Sequence, residues 1–184
     1  MKKGGVGGAN TKTGLMFEDK VSVCSLLGKI QGYCIEKNEN FSSDKTFANN
    51  IFFNGELVAQ SFPKNSFYKF LKERGINYKD YISKKLLPDD ALLIIIRKTL
   101  FIIEVKFQEV GGSVDEKLQT CDFKRKQYSK LVKSLELKVE YVYVLNDFFR
   151  KSKNRDVLQY IDSVNCHYHF NEIPLEWLGL PTGE

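Results

Sequence analysis

The sequence predicts an α/β fold, in which a mixed β-sheet is flanked by helices. Two β-rich runs, at 91–96 and 100–107, are separated only by Arg97, Lys98 and Thr99 and predict an antiparallel hairpin that is buried on both faces. A third β-rich run, at 139–145, follows a segment with helical periodicity. A helix between two strands can act as the crossover that makes them parallel. Antiparallel and parallel pairs in one chain therefore predict a mixed sheet.

The composition is that of one ordinary globular domain. The chain has 184 residues, of which 42% are hydrophobic, so we expect a single domain over 1–184 with a flexible glycine-rich arm at 1–12. The longest apolar stretches fall far short of the ~20 residues that a membrane helix needs. No apolar segment follows the basic start, as a signal peptide would require. We therefore expect no membrane partner and a cytoplasmic location.

The first half of the chain predicts two helices and a less regular region between them. A helix is expected from Thr13, with an apolar stripe at Phe17, Val21, Cys24 and Gly28. Residues 33–60 contain short aromatic and β-branched runs that suggest strands or an irregular connection. A short amphipathic helix is expected at 66–74, closed by a glycine.

The helix after the hairpin has a clear start signal. Ser113 as N-cap and Glu116 three residues later form a capping box. The apolar side chains that follow at helical spacing define its buried face and leave its lysines outward. These apolar residues are Leu118, Cys121, Tyr128, Leu131, Val132 and Leu135.

Positive charge is concentrated in one part of the chain. The net charge is +5, yet residues 117–155 alone contain eleven Lys or Arg and four Asp or Glu, a net +7. Such a distribution favours a polyanionic partner. The alternative is a solvated lysine-rich surface without a specific partner.

The four cysteines do not form a recognisable metal or disulfide pattern. No CxxC pair is present, so we expect reduced, mostly buried thiols. A zinc site that draws on Cys166, His167 and His169 is the alternative, although adjacent residues of a strand point to opposite faces.

The hairpin carries charged residues where an apolar strand would be expected. Side chains alternate along a strand, so Glu104 and Lys106 share one face. A two-residue turn would place Asp89 on that face, whereas a three-residue turn would place Asp90 there, and the sequence alone leaves this choice open. A buried carboxylate needs a partner, a metal ion or a catalytic task.

Two converging carboxylates form an oxygen-ligand site that suits Mg²⁺. A neighbouring lysine could orient or help to deprotonate the attacking water and stabilise the charge that develops on phosphorus. These are the requirements of phosphodiester hydrolysis. The alternative is a structural ion pair at the end of a strand.

Pro88, Asp89 and the later Glu104-Val105-Lys106 triplet resemble the signature of the PD-(D/E)XK nuclease superfamily, and of its type II restriction endonucleases in particular. The surrounding strings that support the resemblance are GGANTKTGLMFE, EVKFQEVGGSVDEKLQTCDFKRKQY, YVYVLNDFF and FNEIPLEWLGLP. Residues 33–87 carry little of it. The resemblance implies a restriction endonuclease-like core.

The resemblance also implies roles for individual residues. Asp89 matches the first metal ligand, which favours it over Asp90, while Glu104 matches the second ligand and Lys106 the catalytic lysine. Glu18 is the candidate for a further catalytic glutamate on the first helix, or else an ordinary surface acid. The side chains expected to reach DNA are Gln108, Lys117, Gln119, Lys124, Arg125 and Lys126.

We therefore expect a Mg²⁺-dependent endonuclease that cuts double-stranded DNA at a short sequence. One site per chain favours a homodimer whose twofold axis matches a palindromic target. Three alternatives stay open: a nicking or catalytic subunit of a heteromeric enzyme, a structure-selective repair or junction nuclease, and a non-catalytic DNA-binding module.

Overall fold

The structure, a computed structural model, describes residues 12–42, 46–109 and 114–182. The predicted flexible arm therefore lies outside the described residues except for Lys12, and so does Ser113 of the predicted capping box. None of the helices in the described ranges is long and apolar enough to cross a membrane.

Within the described residues, seven strands form one mixed sheet, and their spatial order follows the chain. They are β1 (Tyr33–Asn38), β2 (Ala48–Phe53), β3 (Glu56–Ser61), β4 (Asp90–Ile94), β5 (Thr99–Lys106), β6 (Lys138–Leu145) and β7 (His167–Phe170). Neighbours from β1 to β5 are antiparallel, whereas β5, β6 and β7 are parallel. The predicted mixed sheet is thereby confirmed, and the undecided region 33–60 supplies three of its strands.

Helices cover both faces of the sheet. They are α1 (Lys12–Val21), α2 (Val23–Leu27), α3 (Asn65–Glu73), α4 (Val114–Leu118), α5 (Cys121–Val132), α6 (Arg155–Ser163) and α7 (Leu175–Leu178). On one face α3, α5 and α6 pack on side chains such as Ile102, Tyr141 and Tyr143. On the other, α1, α2 and α7 pack on Phe101 and Ile103 among others. The central strands are buried on both sides, as their apolar runs predict.

Two predicted helices are interrupted in the structure. The helix expected from Thr13, with an apolar stripe that reaches Gly28, is broken at Ser22, whose extended backbone (φ −57°, ψ 129°) separates α1 from α2. The helix before β6 is divided into α4 and α5 by a turn at 119–120. The apolar side chains predicted for the second of these helices are nevertheless buried, except for the partly buried Leu135. In the first helix only Val21 of the predicted stripe is buried.

The hairpin turn is longer than predicted, but it still places Asp89 on the face of Glu104, as the two-residue turn would. Both turns considered from the sequence are wrong, because the observed turn spans the four residues 95–98 and Ile94 pairs with Thr99. Lys98 adopts a left-handed conformation (φ 48°), and its N–H donates to the Ile95 carbonyl to close this turn. Lengthening the turn by two residues preserves the parity that places Asp89 opposite Glu104.

Candidate active site

Three charged side chains converge where β4 and β5 lie side by side. Asp90 pairs with Ile103, so Asp89, one residue earlier, lies opposite Glu104 and on the same face. The Lys106 Nζ lies 3.0 Å from Glu104 Oε2 and 4.0 Å from Asp89 Oδ2. The three residues predicted as the catalytic set are therefore neighbours in space.

The structure also separates the two adjacent aspartates. Asp89 Oδ2 accepts a hydrogen bond from the Val105 N–H at 2.9 Å, which fixes its carboxylate against β5. Asp90 points to the opposite face, where Ser61 Oγ lies 2.9 Å from each of its carboxylate oxygens. The register thus settles geometrically which aspartate joins Glu104: it is Asp89.

Glu104 lies between two ammonium groups. Besides Lys106, Lys124 Nζ on α5 lies 2.6 Å from Glu104 Oε1, and the glutamate side chain is only 6% exposed. Burial alone would raise the pKa of Glu104, but the charges of Lys106 and Lys124 outweigh it and hold this pKa below its usual value. Glu104 is therefore ionised at neutral pH.

Lys106 is held in its charged form. Burial acts to lower its pKa, but the carboxylates of Glu104 and Asp89 act more strongly and raise it. The pKa of Asp89 is raised, because its burial outweighs the nearby Lys106 charge and the Val105 hydrogen bond. The site therefore presents a partly buried ammonium group suited to stabilise negative charge and to donate hydrogen bonds.

Helix α5 contacts both Glu104 and the segment that leads to Asp89. Lys124 holds Glu104, and one turn later the Tyr128 hydroxyl donates to the Leu86 carbonyl at 3.1 Å, three residues before Asp89. The sequence interpretation placed the helix lysines outward, which is wrong for Lys124. The signal was available, since Lys124 is three residues after the buried Cys121 and four before the buried Tyr128, on the same helix face.

Glu18 lies beside Asp89 but pairs with Lys64 instead of Lys106 or Lys124. Its carboxylate is 3.5 Å from Lys64 Nζ, and both Glu18 and Asp89 line a cleft of about 180 Å³ between α1 and the sheet. Burial and then the negative charge of Asp89 raise the pKa of Glu18. The structure thus brings Glu18 near one candidate ligand and pairs it with a different lysine.

The other candidate DNA contacts occupy varied environments. Lys117, Gln119 and Lys126 are exposed, and Lys126 pairs with Asp122 at 2.6 Å. Arg125 is partly buried and also contacts Asp122. Gln108 is buried, so its side chain is placed within the protein rather than at the surface.

One polar side chain near the site was missed from the sequence. Asn146, directly after β6, accepts from the Gln108 N–H and donates to the Gln108 carbonyl, at 3.1 and 2.9 Å. This pair of hydrogen bonds fixes the chain that leaves strand β5. An asparagine after a strand gives no sequence signal for such a contact, which depends on β5 and β6 being neighbours.

The alternative zinc interpretation finds no support in the arrangement of its residues. His167 and His169 both pack against the Trp177 ring, with centroid distances of 5.1 and 4.8 Å. His167 Nε2 contacts Glu140 at 3.1 Å, whereas Cys166 is buried beside Cys121. These contacts are those of a packed core and a surface hydrogen bond.

The donor set at Asp89 and Glu104 fits an ion that needs few protein ligands. Within the described residues, no group of three or more His, Cys, Asp or Glu side chains is arranged to hold a metal. Mg²⁺ is commonly held by one or two carboxylates and keeps its remaining positions for water and substrate phosphate. Asp89 and Glu104 match that requirement in number and chemistry, but not the requirement of an all-protein cage.

A scan against models of known protein families finds no match for this chain, and searches of curated proteins and of solved structures find none either. The function is therefore inferred from the geometry of the site and from the resemblance of its sequence signature.

Proposed function

We propose that this protein is a Mg²⁺-dependent endodeoxyribonuclease of the type II restriction class, within the PD-(D/E)XK superfamily. One observation carries the proposal: Asp89, Glu104 and Lys106 meet on one face of a buried hairpin, with the lysine Nζ 3.0 and 4.0 Å from the two carboxylates. An apolar strand rarely holds two charged side chains on one face without a task for them. The spacing of the three residues along the chain also matches the signature of that superfamily.

Each residue has a distinct role in the proposed reaction. Asp89 and Glu104 would hold Mg²⁺, which acts as a Lewis acid on phosphoryl oxygens when bound. Lys106 would donate hydrogen bonds to the attacking water and to the phosphate oxygens, stabilising the charge that builds up on phosphorus. The carboxylates of Glu104 and Asp89 raise the pKa of Lys106, which favours its role as a charged hydrogen-bond donor.

Lys124 would act indirectly, as a positioning residue. Its ammonium group fixes one oxygen of Glu104, so the other oxygen is directed toward Lys106. The Val105 N–H fixes Asp89 in the same way from the opposite strand. Orientation of this kind lowers the cost of assembling the reactive arrangement.

Duplex DNA is the proposed substrate, and a homodimer is the proposed active form. Exposed Lys117 and Lys126 lie on α4 and α5, the helices that follow the catalytic strand. One site per chain can cut one strand, so two copies related by a twofold axis would cut both. A heteromeric partner would serve the same purpose.

Digestion of long linear DNA of known sequence, with Mg²⁺ or with EDTA, tests the proposal. Fixed fragments only with Mg²⁺ are expected. The variants Asp89→Asn and Lys106→Ala should each reduce cleavage by at least about a hundredfold, the scale of removing one hydrogen bond to the transition state. Lys106→Ala should still bind DNA in EDTA. Asp90→Asn is the matched control, since it alters the neighbouring carboxylate on the opposite face and should leave cleavage intact.

The outcomes separate the alternative functions. Cleavage of branched but not linear duplexes would replace the restriction assignment with a structure-selective nuclease. Binding without cleavage under any divalent cation would indicate a DNA-binding module. Normal cleavage by Lys106→Ala would refute the assigned chemistry.

A further inference from the structure

A second basic surface lies outside the segment that dominates the charge of the sequence. Residues 69–85 contain six Lys or Arg and two Asp or Glu, a net charge of +4. Within it lies a groove of about 400 Å³ between the end of α3 and the following turn. We call it the α3 groove, and its lining includes Tyr68, Lys72, Asn77, Tyr78 and Lys85.

Among the described residues, the basic side chains of this surface form no ion pairs. Lys72, Lys79, Lys84 and Lys85 are all exposed, and none has a carboxylate partner within 4.0 Å among the described residues. The segment 117–155 is different, because six of its eleven basic residues are paired with acids. These six are Lys124, Arg125, Lys126, Lys138, Arg150 and Arg155. The α3 groove thus carries the positive charge that is more available to a partner.

The groove also holds one of its lysines in place. Lys85 Nζ lies 4.7 Å from the ring centre of Tyr68 and 5.1 Å from that of Tyr78. Contact with two aromatic faces restricts a side chain that would otherwise be mobile. Asn77, which donates to Asp80 at 3.3 Å, adds an amide to the same lining. Ammonium and amide donors together suit the oxygens of a phosphate backbone.

The α3 groove lies on the same side of the sheet as the catalytic lysine. Tyr68 belongs to the core on the α3 and α5 face, which is also the face of Glu104 and Lys106. Lys85 precedes Asp89 by four residues, so their Cα atoms are at most about 14 Å apart. A strand of B-DNA rises about 3.4 Å per nucleotide, so about four nucleotides span this distance.

We infer that the α3 groove binds the phosphate backbone of duplex DNA that flanks the cleavage site, through Lys72 and Lys85. The identity of the partner rests on the proposed nuclease function. Three properties of the groove favour DNA over other anionic partners. They are its positive charge, its lysines without carboxylate partners among the described residues, and its closeness to Asp89 along the chain. The groove therefore extends the substrate-binding surface beyond α4 and α5.

Binding of duplex DNA, measured by fluorescence anisotropy in EDTA over a range of salt concentrations, tests this inference. The double variant Lys72→Gln/Lys85→Gln should reduce the slope of log K against log salt by about two, since each phosphate contact contributes about 0.9. At 0.1 M salt the affinity should fall roughly tenfold for each phosphate contact that the substitutions remove. The matched control is Lys20→Gln/Lys29→Gln, which removes two exposed lysines from the α1 and α2 side.

Each outcome bears on the inference separately from the proposed function. A reduced slope in the groove variant, with an unchanged slope in the control, supports the inference even if the protein fails to cleave. A slope equal to that of the wild type, an equal reduction in both variants, or no DNA binding at all overturns it. Cleavage by the wild-type protein combined with an unchanged slope would refute the groove alone. Equal melting temperatures of the two variants verify that both are folded.

Discussion

Replacing Asp90 by asparagine should make the stability of this protein less dependent on pH. Burial raises the pKa of Asp90 from 3.8 to about 6, although Ser61 and backbone N–H groups partly oppose the shift. Because the folded-state pKa lies above the unfolded one, the folded state binds the proton more tightly. This contribution to stability is complete below about pH 4 and is lost as the pH rises through about 6.

A pKa change of this size corresponds to about 3 kcal/mol of unfolding free energy. Asparagine does not titrate, so the stability of the variant relative to the wild type should improve by about 2 to 3 kcal/mol between pH 4 and pH 8. For a chain of this length, that corresponds to a relative rise in melting temperature of about 5–10 °C. Any pH-independent cost of replacing the hydrogen-bonding oxygens cancels in this comparison.

Urea unfolding followed by circular dichroism, in EDTA at several values from pH 4 to pH 8, measures the effect. Asp156→Asn provides the control, since it removes a carboxylate whose side chain is 86% exposed and should change stability by less than about 0.5 kcal/mol throughout. If Asp90→Asn changes the stability equally at pH 4 and pH 8, the burial argument for Asp90 is wrong.

Two further predictions concern the contacts of α5. Lys124→Met should reduce the free energy of unfolding by about 2 kcal/mol, the value of a hydrogen bond to a charged group, and should slow cleavage. Lys126→Met removes an exposed ion pair and should reduce the free energy of unfolding by less than about 1 kcal/mol. Equal costs in chemical denaturation would contradict the buried role of Lys124. Tyr128→Phe should cost about 1 kcal/mol, and Tyr68→Phe more, because the Tyr68 hydroxyl also accepts from the Leu86 N–H at 2.8 Å. The reverse order in thermal melts would show that the Leu86 contacts do not explain the two tyrosines.

The periodicity of the chain is sufficient to predict the centre of the fold. Continuous apolar runs predict strands β4, β5 and β6, and the helical pattern between β5 and β6 predicts their parallel arrangement. The sequence does not predict the secondary structure from β1 to β3, because the short apolar runs there are interrupted by asparagine and glycine. These strands pair with one another and with β4. Local sequence pattern predicts a strand poorly where the strand is stabilised mainly by the strands that pair with it.

The candidate site also combines features that the sequence predicts with features that only the packed structure shows. Alternation along a strand requires Glu104 and Lys106 to share a face, which depends only on backbone geometry. The position of Asp89 relative to them depends on the hairpin turn, and the turn residues do not specify its length. The spacing of Lys124 from Tyr128 is enough to assign it to the buried helix face, but its contact with Glu104 requires the packing of α5 on the sheet.

The sequence by itself determined the mixed sheet, the two charged residues on one face of its central strand and the excess of positive charge. Those properties follow from local periodicity and composition, which the chain carries whatever its surroundings. Only the tertiary structure decided that Asp89 and not Asp90 joins Glu104, and that Lys124 turns inward. It also decided that six of the eleven basic residues in 117–155 are paired with acids, whereas the lysines of the α3 groove have no such partner among the described residues. The physical reason is that strand register, ion pairing and burial depend on distances between residues far apart in the chain, and these distances exist only once the helices pack on the sheet.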